Sequence, residues 1–273
     1  MSLSLLEARA TSATGEGRST PAAGALNVSQ VSKVFRQGER VIQALAPIDL
    51  TVMAGEFVCL VGPSGCGKST LLSIVAGLEA PSSGFVRAAG KPVTGPSPER
   101  LLLFQEAALF PWLDVRGNVE FGLRERRISR AERRELAQKY IDLVHLAGFE
   151  RSYIHQLSGG MRQRTAIARA LAMDPAMLLM DEPFGALDAL TRDSLHAELE
   201  SIWESTGKTI LFVTHNVREA VALGDRVLIF SPRPGRIVSE FLIDLPRSRS
   251  LQDHGLADKA SEILAVLTAE NGR

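Results

Sequence analysis

Residues Gly62-Pro63-Ser64-Gly65-Cys66-Gly67-Lys68-Ser69, followed by Thr70, fit the spacing G-x-x-x-x-G-K-[ST]. An apolar run, EFVCLV at 56–61, precedes them, and a helix-forming run, LLSIVA, follows. Glycines at this spacing let the backbone bend so that successive N–H groups point into one anion. The helix start adds the positive end of its dipole. Lys68 then reaches the outer phosphates of a nucleoside triphosphate, and Ser69 offers a hydroxyl to Mg²⁺. This chemistry is phosphate binding, and it leaves open what the energy is used for.

A second candidate group lies at AMLLM, residues 176–180, which ends in Asp181-Glu182-Pro183. Asp181 at a strand tip reaches Mg²⁺ through water. Glu182 falls one residue further, where it can orient or deprotonate an attacking water. Alone, this would be a solvated acidic turn; the loop at Gly62–Ser69 makes it a partner. A third group, Leu157-Ser158-Gly159-Gly160-Met161-Arg162-Gln163-Arg164, opens a strong helix at 165–173. Ser158 caps it, and two glycines leave its N-terminus bare, so the chain holds a second anion site beyond the one a phosphate loop needs. Ordinary helix capping is the plainer reading of that segment by itself.

The elements that position these groups read as α/β. Strand-like runs fall at 26–35, 48–52, 56–61, 101–104, 176–180, 209–214 and 226–230, several of them apolar throughout, as suits central strands covered on both faces. Between 106 and 171 the texture turns helical. Ser129 and Glu132 form a capping box there, and Gly148 closes the helix that follows, so a helical insertion interrupts the α/β core. A PRPG turn, a strand at 236–245 and a final amphipathic helix end the chain. Residues 11–25 carry no large aliphatic or aromatic side chain. The first 24 residues therefore read as a mobile tail.

Composition sets outer limits. Lys+Arg and Asp+Glu are each 31 among 273 residues. Zero net charge excludes a general electrostatic grip on nucleic acid, though not a local basic face. No apolar run approaches the ~20 residues that span a bilayer. Two cysteines, Cys59 and Cys66, make no disulfide framework. The start, MSLSLLEARA, has no leader pattern, and the expected address is cytoplasmic.

Taken together, the motifs resemble the ATP-binding subunit of ABC transporters over about 26–245. They are the loop at 62–70, Gln105 in LLLFQE, LSGGMRQR at 157–164, LLMDEP at 178–183 with GALD at 185–188, and His215 in FVTHN. The resemblance implies a P-loop ABC ATPase core with an antiparallel β subdomain and the helical insertion, spanning 25–248, and a short helical extension at 249–273. It implies ATP and Mg²⁺ as cofactors. It also implies a head-to-tail homodimer in which Ser158 and Gly160 of one subunit grip the γ-phosphate held by Lys68 of the other. Glu182, His215 and Gln105 become catalytic, Ser69, Gln105 and Asp181 metal-binding, Asp188 a dimer contact, and Phe35 the aromatic that stacks on adenine. Met161 departs from the family, which commonly has Gln there.

Features beyond the core motifs are similar to the nitrate, sulfonate and taurine importer branch: FPWL at 110–113, Met161, and SPRPGRI at 231–237. That similarity implies integral-membrane permease subunits as partners, an indirect link to a periplasmic solute-binding protein, and a place on the cytoplasmic face of the bacterial inner membrane. Phe110 and Trp112 are expected near the permease, with core packing as the alternative. The alternative activity is an ATP-gated dimerising clamp in a non-transport process.

Overall fold

The computed structural model describes residues 26–126, 128–185, 187–249 and 253–271. The expected N-terminal tail lies outside the described residues. Among the described residues, ten strands form two sheets. β1 (Leu26–Gln37), β2 (Arg40–Val52), β4 (Ser83–Ala88) and β5 (Lys91–Pro92) make an antiparallel sheet in the order β2-β1-β4-β5. The second sheet contains β3 (Phe57–Val61), β6 (Arg100–Leu103), β7 (Met177–Asp181), β8 (Thr209–Thr214), β9 (Arg226–Phe230) and β10 (Ile237–Leu242). Its order is β10-β9-β3-β8-β7-β6, parallel except where β10 runs against β9.

The central strands are apolar throughout because each faces two cores. In β3, Phe57, Cys59 and Val61 point into one hydrophobic cluster, and Val58 and Leu60 into the other. The period of two repeats in β8, where Ile210 and Phe212 alternate with Leu211 and Val213. One cluster fills the space between the two sheets around α1 (Lys68–Ala76). The other lies under the helices α2 (Val115–Leu123), α3 (Arg130–Leu143), α4 (Gly159–Ala172), α5 (Ala189–Thr206), α6 (Val217–Leu223) and α7 (His254–Asn271).

Four expectations change in detail. The strand expected at 48–52 starts at Arg40 and pairs with β1 along most of its length. The helix after Ser129 stops at Leu143 instead of running to Gly148. His145 takes a left-handed φ of 55°, and the Leu146 N–H reaches back to the Ile141 carbonyl at 3.0 Å. Leu146 is buried in the same core as Ile141, so closing the helix early buries a leucine. Of the capping box, the Ser129 half forms, with Oγ accepting the Glu132 N–H at 3.1 Å. The C-terminal helix is no appendage: Leu256, Ala260 and Ile263 on α7 belong to the larger core.

Candidate functional site

The parallel sheet gathers the chemistry at one edge. Val61 lies opposite Thr214 and Ile229, Asp181 opposite Val213, and Leu103 opposite Met180. The segments after β3, β6, β7, β8 and β9 therefore leave the sheet side by side, at the carboxyl ends where open α/β sheets bind ligands. Residues from six segments line a cleft of about 570 Å³ there, among them Phe35, Ser64, Lys68, Ser69, Gln105 and Glu182.

The phosphate loop runs directly into α1, with Gly67 at a left-handed φ of 111° just before Lys68. A Cβ on Gly67 would stand 2.6 Å from Leu45 Cδ2 and 2.8 Å from the Ala44 carbonyl, so only glycine fits. Lys68 is buried at the base of the loop. Its Nζ donates to the Gly62 and Pro63 carbonyls at 2.8 and 2.9 Å and lies 3.6 Å from Cys66 Sγ. Gly65, Gly67 and Thr70 line the cleft, whereas Cys66 is turned into the core. Gly62 and Pro63 contribute through the carbonyls that hold Lys68.

Ser69 Oγ donates to Asp181 Oδ1 at 3.0 Å, joining the first helix to the tip of β7. Burial pushes the Asp181 carboxyl above its ordinary range. The Ser69 hydrogen bond opposes that shift, Glu182 adds to it, and Lys68 opposes it. Two hard oxygens, from a hydroxyl and a carboxyl, suit Mg²⁺, which takes few protein ligands and keeps water and phosphate for the rest. Gln105 shares the cleft: its Nε2 lies 3.3 Å from where a Cβ on Gly185 would stand.

Glu182 takes a left-handed φ of 45°, uncommon for a non-glycine residue. Its N–H donates to the Val213 carbonyl at 2.9 Å, and the Gly185 N–H donates to its own carbonyl at 3.0 Å. That held conformation brings Glu182 Oε2 to 2.9 Å from His215 Nδ1. Phe35, on the outer sheet, keeps a 39% exposed ring at the cleft, with Lys33 Nζ 4.9 Å from its centroid.

The signature residues stand apart from this cleft within the protomer. Ser158 caps α4 by accepting the Met161 N–H at 3.2 Å, and Met161 packs against the core. Gly160 faces α5 so closely that a Cβ would lie 2.6 Å from Thr191 Cγ2. Asp188 caps α5, its side chain accepting from the Thr191 N–H at 3.0 Å and the Thr191 hydroxyl at 2.7 Å.

Sequence reasoning missed a buried network behind His215. Glu219 on α6 lies 2.5 Å from His196 Nε2 on α5 and accepts from the Thr214 hydroxyl. Thr214 Oγ1 in turn accepts the Asn216 N–H at 3.0 Å. These bonds fix both flanks of His215. Only the spacing of Glu219 one helical turn after Asn216 hinted at it. Arg233 also lines the cleft, although the SPRPG segment read only as a turn and as a mark of the importer branch.

The family model described as ABC transporter matches residues 45–185. The taurine import ATP-binding protein TauB of Burkholderia pseudomallei is 50% identical over 81% of this chain and 85% of its own. The nitrate import ATP-binding protein NrtD of Synechocystis is 48% identical over 81% of this chain and 83% of its own. A solved structure of a dimeric ATP-binding cassette in a post-hydrolysis state, bound to ADP and Pi, superposes with a TM-score of 0.72. It is 33% identical and covers 81% of this chain and 100% of that one.

Proposed function

The chain belongs to the ABC transporter family as an ATP-hydrolysing, ATP-binding subunit, and on that premise we propose that its homodimer drives a separate permease importing an oxyanion such as taurine, another sulfonate or nitrate. The observation that carries the catalytic part is the Glu182–His215 pair at 2.9 Å, held above the phosphate loop by backbone bonds on both sides of Glu182. Glu182 orients the attacking water and accepts its proton. His215 holds that carboxylate through Nδ1 and presents its other ring nitrogen to the γ-phosphate. Lys68, freed from the Gly62 and Pro63 carbonyls, takes the outer phosphates. Phe35 stacks on the adenine.

Ser69 and Asp181 are the residues that would hold Mg²⁺, with Gln105 beside them; when bound, the ion neutralises charge on the β- and γ-phosphates. Ser158 and Gly160 complete the site from the second subunit. A helix N-terminus bare of side chains is a ready anion site, and within one protomer neither Ser158 nor Gly160 lines the cleft.

An apolar hollow of about 340 Å³ supports the permease contact. Phe104, Ala107, Phe110, Phe121 and Met173 line it, at the free edge of β6 and against the helical insertion. Phe110 packs against Phe121 with ring centroids 4.1 Å apart and the rings tilted by 35°, and Trp112 stands beside it 69% exposed. A bare tryptophan at the rim of an apolar hollow is how a soluble subunit grips a partner helix. No described helix is long and apolar enough to cross a membrane. The permease therefore holds this subunit peripherally, on the cytoplasmic face of the bacterial inner membrane, and a periplasmic binding protein acts on it only through that permease.

The test is reconstitution with the permease in liposomes. ATPase activity should rise when a binding protein loaded with taurine, another sulfonate or nitrate is added. Trp112→Ala should lose that stimulation and keep the basal rate. A full response in Trp112→Ala would remove the docking assignment, and no response to any of these solutes would remove the oxyanion one.

A further inference from the structure

Residues 231–236 carry a cation into the cleft from outside the five motifs to which nucleotide roles were given. β9 runs beside β3, with Val61 opposite Ile229, so this turn and the phosphate loop emerge together. The turn is pinned against the loop. The Gly235 N–H donates to the Ala44 carbonyl at 2.9 Å, and the Ala46 N–H donates to the Gly235 carbonyl at 3.0 Å. A Cβ on Gly235 would stand 1.9 Å from the Cys66 carbonyl, so the two backbones are in direct contact. Arg233 sits at the tip of this turn and lines the cleft with Phe35, Lys68 and Ser69.

The guanidinium has a fixed direction. Its Nε and Nη2 donate to the Gly65 carbonyl at 3.1 and 2.8 Å, at the crest of the phosphate loop. A guanidinium carries five N–H donors, so three remain for a ligand. The side chain is exposed, and a hydrogen bond made in water adds little to folding. What the two bonds do is aim the charge. Lys68 is held at the start of the loop, and Arg233 at its crest.

We propose that Arg233 is a further nucleotide-binding residue, which donates to a phosphate of ATP over the crest of the loop. The planar fork of arginine matches phosphate oxygens, and a second cation raises the local potential for a polyanion. The proposal rests on the reading of this cleft as the ATP site.

The experiment displaces a fluorescent ATP analogue with ATP or adenosine, without divalent metal so that no turnover occurs. It compares the wild type with Arg233→Ala, Arg233→Lys and Lys68→Ala. Arg233→Ala should weaken ATP about five- to tenfold, the scale of one ion contact at a wet site. Its affinity should depend less steeply on salt, adenosine should be unaffected, and Arg233→Lys should fall between. The melting midpoint without nucleotide should stay that of the wild type. Unchanged ATP affinity in Arg233→Ala, with loss in Lys68→Ala, overturns the assignment of Arg233 alone. Unchanged affinity in both overturns the cleft itself. An equal loss for ATP and adenosine also overturns the assignment, because a missing charge cannot weaken an uncharged ligand.

Discussion

Asp181 shows how the site trades stability for chemistry. Its carboxyl is pushed up first by burial, with only Ser69 and Lys68 opposing. A carboxyl whose pKa is raised by folding costs the folded state most above that pKa, where it is charged, and the cost fades as pH falls through it. Asp181→Asn keeps an acceptor for Ser69 and removes the charge. The variant should therefore be more stable near neutral pH, by about 0.5–2 kcal/mol in denaturant unfolding. That gain should shrink as pH drops into the carboxyl range, and ATP hydrolysis should be lost. A variant less stable than wild type at neutral pH would mean that the buried charge is not the cost it is taken to be.

At the scale of elements, the contact between α4 and α5 is set by one missing side chain. A Cβ on Gly160 would stand 2.6 Å from Thr191 Cγ2, while one on Gly159 would stand 3.2 Å from the more flexible end of Leu187. Alanine is the better helix former by about 1 kcal/mol, but overpacking of this kind costs about 1–3 kcal/mol. Gly160→Ala should thus unfold at lower denaturant than wild type, and Gly159→Ala less so or not at all. Equal effects of the two would refute the packing argument. Sequence reading found these glycines as features of an anion site, since a motif shows backbone freedom and not what presses on it. The same limit applied elsewhere. The apolar strands were legible because each faces two cores. Gly148 misled because a left-handed His145, three residues earlier, closes α3, and what stabilises that turn is burial of Leu146. The exposed strand β4, with only Val86 buried among its six residues, had no run of apolar residues to find. Arg233 was out of reach for another reason, since it depends on which strands are neighbours, and the partner of Glu219 depends on which helix packs beside α6.

The whole molecule is a mainly parallel sheet that brings five strand ends together, with an outer sheet to which the proposed function gives the base and a helical insertion to which it gives the permease. The zero net charge fits this plan, because the proposed anion grip is local, made by loop N–H groups, helix ends and two cations that line the cleft, Lys68 and Arg233. The central claim is that Glu182 drives hydrolysis at a site closed by a second subunit. It is tested most directly by following Glu182→Gln in sedimentation and in ATP turnover. The account predicts that the variant binds ATP, forms a stable ATP-dependent dimer, and hydrolyses about 10²–10⁴-fold more slowly than wild type. Turnover at the wild-type rate would contradict it.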